Sequence, residues 1–332
     1  MTQPVVLTMG DPAGIGPELA LMAWRALGTE APFALLGDAA YMTALGARMG
    51  VAITPVAAPA DAAVAAARGL PVIDHPLPTQ PVAGRPDPAN APAIVAIIER
   101  AVDLARTGAA SAVCTGPINK KVLADGAGFA FPGHTEFLGS LCGAARPVMM
   151  LACPELRVVP VTVHVPLAAV PQTLTEDLLV GTLTVTARAL QQDFAIANPR
   201  IAVSGLNPHA GEGGLMGEEE PRIIAPALER VRAALPSLRI HGPLPADTLF
   251  HPAARAGYDA ALAMYHDQAL VPIKTIAFDS AVNVTLGLDF VRTSPDHGTA
   301  YDIAGSFEAT PASLVGALRM AAELGARRQR HR

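Results

Sequence analysis

Residues 263–274 read AMYHDQALVPIK. The apolar run Ala260 to Met264 just before the polar part has the length and composition of a buried strand. It delivers Tyr265, His266 and Asp267 at its end, and Lys274 follows eight residues after the histidine. Two other stretches have the same form, VVPVTVH ending in His164 and IAVSGLNPH ending in His209. Apolar runs of this kind, alternating with helical patterns, predict an α/β fold with largely parallel strands covered on both faces. In such open sheets ligands sit beyond the strand ends. Two readings of the histidines stand side by side: all three meet around one ion, or each is satisfied separately by backbone at its own strand end.

Outward from that stretch the alternation continues. Val5 to Met9 reads as a strand, followed by GDPAGIGPE at 10–18 and a helix to about Leu27. The glycine spacing is neither the G-x-G-x-x-G of a dinucleotide fold nor a Gly-Lys-Ser/Thr phosphate loop, and Pro17 with Glu18 suits a plain helix start. Phe33–Leu36 and Val51–Val56 read as strands with a helix between, and the proline-rich span 71–92 as an irregular surface crossing. Ile94, Ile97, Ile98, Ala101, Leu104 and Ala105 make a helical core stripe. Ser111–Thr115 and Val148–Cys153 are further strands. Thr173 and Glu176 form a capping box for a helix to about Phe194, and Glu218, Glu219 and Glu220 crowd another helix start. Thr310 caps a last helix running to about Leu324.

Length and charge bound what the chain does. The 332 residues suffice for two domains or one large one. The balance of 24 basic against 29 acidic residues, −5, implies no broad nucleic-acid or membrane surface; the basic tail at 327–332 reads as a frayed terminus. Cys114, Cys142 and Cys153 contain no C-x-x-C pair and point to reduced thiols. With no apolar run of the roughly 18 residues a membrane helix needs, and no secretory signal ahead of the VVLTM run, a cytoplasmic protein is expected.

The chemistry-bearing residues follow. Three imidazoles with an open position are the arrangement catalytic zinc uses, and such an ion lowers the pKa of a bound water from about 15.7 toward 7. Arg292 and Lys274 suit an anionic substrate, with His134 and Thr135 adding donors, or else are ordinary surface charge. Asp247, in a proline-bordered loop, and Asp267 either orient metal-bound histidines or cap loops. DHGTAYDIAG, 296–305, reads as a glycine-containing turn between polar residues, of a kind that can bring backbone close to a flat ring but does not by itself indicate a nucleotide.

Taken together, MGDPAGIGPE, CTGPINK, FPGHTEFL, LNPHAGEGG, MYHDQALVPIK and AVNVTLGLDFVRTSPDHGTAYDIAG resemble the 4-hydroxythreonine-4-phosphate dehydrogenase family of pyridoxal phosphate biosynthesis, from Val5 to about Leu324. HGTAYDIAG is also similar to the adenine loop of isocitrate and isopropylmalate dehydrogenases, whose two-domain α/β/α fold the family shares and in which NAD binds without a Rossmann fingerprint. The resemblance implies one domain from residues 1–130 plus 284–332 including the adenine loop, a second from 131–283 carrying the metal histidines, and a cleft between them. It implies that His164, His209 and His266 bind a divalent metal, zinc, cobalt or magnesium, and three imidazoles favour zinc or cobalt over magnesium, which prefers oxygen. By the same resemblance His134, Thr135, Lys274, Asn283 and Arg292 bind substrate, Asp247 and Lys274 serve catalysis, and His297, Gly298, Thr299, Ala300, Asp302 and Gly305 border NAD or NADP. A homodimer with the active site at the subunit interface is implied, one metal ligand coming from the partner. The implied reaction is oxidation of 4-phosphooxy-L-threonine at C3 with decarboxylation to 3-amino-2-oxopropyl phosphate. Alternatives are the same chemistry on threonate or erythronate 4-phosphate and, more distantly, a zinc hydrolase.

Overall fold

The computed structural model describes residues 3–330. Among these residues twelve strands form: β1 Val5–Thr8, β2 Phe33–Gly37, β3 Ile53–Val56, β4 Leu70–Asp74, β5 Val113–Thr115, β6 Val148–Cys153, β7 Leu156–Thr162, β8 Arg200–Ser204, β9 Arg239–Leu244, β10 Ala260–Tyr265, β11 Val282–Leu286 and β12 Arg292–Pro295. Helices alternate with them, so the α/β class is as the sequence predicts. The chain divides into two compact units, Met1–Ala145 with Leu288–Arg332, and Arg146–Gly287.

In the first unit the strand order is β3-β4-β2-β1-β5-β12, with every pair parallel. Val5, Val6, Leu7, Leu35 and Leu36 are buried, as expected where a parallel sheet is covered on both faces. The helix Ala91–Arg106 buries Ile94, Ile97, Ile98 and Ala101 with Val102 beside them. At about 1.5–3 kcal/mol for each fully buried large aliphatic side chain, that stripe decides which face turns inward.

In the second unit the order is β11-β6-β7-β10-β8-β9. β7, β10, β8 and β9 run parallel, and β6 and β11 antiparallel to their neighbours. β10 is central and buried from Ala260 to Met264, so the opening stretch leaves the sheet interior at Tyr265.

The compact units end later than 130 and 283. Phe131 and Phe137 close an aromatic cluster on Phe129, with centroids 5.0–5.3 Å apart, which keeps the helix His134–Cys142 in the first unit. β11 pairs with β6 through Leu286, which keeps 284–287 in the second. Within 71–92, expected to be irregular, β4 forms because Leu70, Val72 and Ile73 are buried; Pro71 masks a strand whose apolar side chains win. The helix Glu176–Gln192 is capped by Thr175, whose hydroxyl accepts from Leu178 N, and not by Thr173. The last helix, Ala312–Arg330, runs past Leu324, and Arg327 pairs with Glu323 one turn back. The basic tail is thus helical through Arg330; His331 and Arg332 lie outside the described residues.

Candidate active site

Two of the three strand-end histidines meet. β7 and β10 are parallel neighbours with Thr162 opposite Tyr265, and Thr162 Oγ1 donates to Met264 O (2.8 Å), which holds the two carboxyl ends together. His164 leaves β7 with φ 54°, and His266 begins the helix His266–Ala277. Their ring centroids are 6.1 Å apart and the planes tilted by 40°. They line a cavity of about 260 Å³ with Thr162, Val165, Tyr265 and Asp267. His266 Nδ1 lies 2.7 Å from Asp267 Oδ1. A carboxylate only accepts, so the proton sits on Nδ1 and Nε2 keeps its lone pair for a ligand.

His209 follows β8 on a different kind of backbone. From His209 to Gly213 every residue has positive φ: 53°, 53°, 82°, 43° and 66°. For His209, Ala210 and Glu212 this costs about 1–2 kcal/mol each, whereas Gly211 and Gly213 adopt it freely. Gln268 ties this region to the His266 helix, accepting from Ser204 Oγ (2.8 Å) and Met264 N (2.6 Å) and donating to Gly205 O (2.9 Å). Among the described residues no three His, Cys, Asp or Glu side chains gather at metal-binding distance. Within one chain the facing pair is therefore His164 and His266, and His209 does not join it. The pair fits a metal in kind, since imidazole with a fixed tautomer suits zinc or cobalt better than magnesium. A catalytic zinc takes three protein ligands, so the set needs one more donor.

Lys274 lies on the same helix as His266, its Nζ 5.4 Å from the Phe278 ring centroid. Asp247 is exposed on the short turn Ala246–Thr248. Asn283 stands on β11 with its Oδ1 enclosed and unpaired.

In the first unit Arg292 is 3% exposed, and its guanidinium donates to Thr115 Oγ1 from Nη2 (2.7 Å) and Nε (3.2 Å). Burial pulls its pKa down to about 10. His134 and Thr135 open the helix His134–Cys142, whose first amides lack acceptors within the helix. His134 Nε2 is enclosed without a partner, and burial, then the charge of Arg292, holds the imidazole well below its ordinary pKa. The unfolded chain takes up a proton below about pH 6.5 that the folded protein refuses, so stability falls as pH drops from about 6.5 toward the folded value, by at most about 1.4 kcal/mol per unit. His134→Gln is expected to lose less of its thermal midpoint between about pH 7 and 5.5 than the parent. The His134 ring resonances should stay neutral across that range; a midpoint near 6.5 would contradict the enclosure.

The turn 296–305 is pinned from beneath by the motif at 10–18. Tyr301 Oη donates to Asp11 Oδ2 (2.6 Å), Ile15 N to Thr299 O (3.0 Å), and Gly305 N to Glu18 Oε2 (2.9 Å). A Cβ on Gly14 would lie 2.6 Å from Thr299 O, so glycine is needed for this approach. Burial raises the pKa of Asp11, opposed by the Tyr301 hydrogen bond, and burial with Asp11 raises that of Tyr301, which stays a donor. His297 Nε2 is enclosed without a partner, Ala300 and Gly305 have positive φ, and Gly298 and Asp302 are exposed. The buried His297 nitrogen and the pinned backbone fit a turn that receives a planar ligand.

Sequence reasoning did not single out Thr115 as the Arg292 partner, Lys120 beside Gly133, or Asp11 and Tyr301 as a strut. The motifs CTGPINK and GDPAGIGPE were visible, but nothing in them reveals tertiary partners 177 and 290 residues away.

The sequence profile of the family described as pyridoxal phosphate biosynthetic protein PdxA matches residues 29–321. The 4-hydroxythreonine-4-phosphate dehydrogenase of Paracoccus denitrificans (strain Pd 1222) is 54% identical over 330 residues, covering 98% of this chain and 99% of that one. The enzyme of the same name from Ruegeria sp. (strain TM1040) is 52% identical over 327 residues, covering 98% of each. The crystal structure of 4-hydroxythreonine-4-phosphate dehydrogenase from Klebsiella pneumoniae superposes with a TM-score of 0.89 at 36% identity, covering 98% of this chain and 100% of that one.

Proposed function

The chain belongs to the pyridoxal phosphate biosynthetic protein PdxA family, and on that premise we propose that it is an NAD- and divalent-metal-dependent dehydrogenase acting on 4-phosphooxy-L-threonine. C3 is oxidised, the C1 carboxylate leaves as carbon dioxide, and the product is 3-amino-2-oxopropyl phosphate. What carries this assignment within the molecule is the facing of His164 and His266, with Asp267 fixing the His266 tautomer, in a chain of this family.

His164, His209 and His266 would hold zinc or cobalt, magnesium less readily, and the turn 296–305 would border the adenosine of NAD or NADP. When bound, the ion supplies Lewis acidity at the C3 oxygen and the nicotinamide accepts the hydride. The protein's own groups bind and move protons around that chemistry. Arg292, His134, Thr135 and Asn283 grip the polar and anionic ends of the substrate; the enclosed His134 Nε2 and Asn283 Oδ1 have no partner among the described residues. We assign Asp247 as base for the C3 hydroxyl proton. As the C1–C2 bond breaks, its electron pair stays on C2, and Lys274 Nζ returns a proton there. Phosphate binding far from C3 fixes the reacting geometry.

A homodimer completes the proposal: two facing imidazoles need a third ligand, and Leu167, Leu215, Met216, Val271 and Phe278 of the second unit are exposed in the single chain. No helix of the described residues is long and apolar enough to cross a membrane. The free thiols of Cys114, Cys142 and Cys153 fit a reducing compartment, the cytoplasm.

The metal-loaded protein, supplied with 4-phosphooxy-L-threonine and NAD, is expected to form reduced cofactor and carbon dioxide in equal amounts, with much weaker turnover of threonate or erythronate 4-phosphate. Turnover of the sugar-acid phosphate alone would reassign the substrate; turnover of neither, with no cofactor bound, would overturn the proposal.

A further inference from the structure

We infer that Glu220 is a positioning residue for His209, its buried carboxylate clamping the left-handed turn that carries the histidine, so that metal affinity depends on the clamp; this rests on His209 being a metal ligand. Three glutamates stand at the helix start, 218–220, where the helix dipole gives them an ordinary electrostatic role. Glu220 does something else. It is 3% exposed, and Oε1 accepts from both Leu206 N and Asn207 N at 2.8 Å. Oε2 accepts from Asn207 Nδ2 at 3.0 Å, and the same amide donates to Glu219 Oε2 at 2.7 Å. One carboxylate thus fastens the residues immediately before Pro208 and His209.

The glycines show that the turn is shaped around this side chain. A Cβ on Gly211 would lie 2.6 Å from Glu220 Oε2, and one on Gly205 3.0 Å from Glu220 Oε1. Gly217 is pressed against the Asn207 side chain. The helix itself begins with a single π turn, Glu220–Ile224, a feature that recurs at functional sites. Strained backbone persists only where its surroundings over-determine it. Here His209, Ala210 and Glu212 are strained, and Glu220 is the buried charged group bonded to the chain just ahead of them.

Co²⁺ binding alone tests this, followed by visible absorption on the full protein without substrate or NAD. Glu220→Gln keeps an acceptor for the two backbone amides but sets an NH₂ against Asn207 Nδ2. It is expected to weaken Co²⁺ binding about 10- to 100-fold, the usual range for a group supporting a metal ligand. NADH binding, read by fluorescence, should be unchanged. A merely structural Glu220 would lower the thermal midpoint of the metal-free protein and leave Co²⁺ affinity alone, which would overturn the inference. Should Glu220→Gln fail to fold, Asn207→Ala decides, with Co²⁺ weakened about 10-fold in support or unchanged against. His209→Ala separates the two levels. If it binds Co²⁺ like the parent, the metal assignment itself falls; if it loses Co²⁺ while Glu220→Gln does not, only the clamp falls.

Discussion

His266→Ala is expected to lose its bound metal and to oxidise 4-phosphooxy-L-threonine about 10³-fold more slowly than the parent, or worse, because Lewis-acid stabilisation is worth several kcal/mol and each 1.36 kcal/mol is tenfold in rate. His266 is the first residue after β10, on a helix whose Ala269 and Ile273 are fully buried, so its backbone is fixed by the core of the second unit. Its ring faces His164 at 6.1 Å and carries its proton toward Asp267. Removing the ring leaves two of the three proposed imidazoles, one fewer than the three protein ligands a catalytic zinc takes. The ring is half-exposed, so little packing is lost and the thermal midpoint of the metal-free variant should hardly move. NADH affinity should persist, since the residues proposed to border the cofactor lie in the first unit. Metal content by emission spectroscopy, turnover and NADH fluorescence check the three statements together. Full metal occupancy with parental turnover would sink the assignment of His266.

That the sequence displayed His164 and His266 but not how His209 is held has a physical cause. A buried parallel strand announces itself by continuous apolar residues, so Ala260–Met264 and Val158–Val161 could be read directly, and the residues that follow such a run emerge at the carboxyl ends of the strands. A left-handed turn has no such signature. The glycines of GEGG suggest positive φ, but His209, Ala210 and Glu212 adopt it against their own preference, held by a carboxylate whose partners lie 13 and 14 residues back. The same limit applies to GDPAGIGPE. Its spacing differs from that of a phosphate loop, and its fit to Thr299, Tyr301 and Gly305 is a tertiary match that local pattern does not carry. Local rules also gave way where burial outweighed them. Pro71 argues against a strand, but Leu70, Val72 and Ile73 bury fully in β4. The charges of Arg327 and Arg328 suggested fraying, but Glu323 and the Leu288 carbonyl receive them.

Arg292→Met is expected to raise KM for the phosphorylated substrate by about 10²-fold or more while leaving the thermal midpoint unchanged or higher. The two halves of this expectation come from one observation. A guanidinium at 3% exposure, with its pKa drawn down to about 10, sits where water would normally solvate it. Thr115 Oγ1 meets two of its donors, and the negative charge of Glu136 acts on the guanidinium too weakly to offset its burial. Replacing a buried charge with an apolar side chain of similar reach is often neutral or stabilising, so the fold has little reason of its own to keep arginine here. An anionic ligand supplies the reason: hydrogen bonds to charged groups are worth about 1.5–3 kcal/mol each, and a planar fork makes two at once. Arg292→Lys restores the charge without the fork, so its KM should lie between those of the parent and Arg292→Met. Calorimetric unfolding beside steady-state kinetics gives both numbers for all three proteins. If Arg292→Met unfolds several degrees lower while KM stays at the parental value, the guanidinium is a structural strut for Thr115 and not a hold on the substrate.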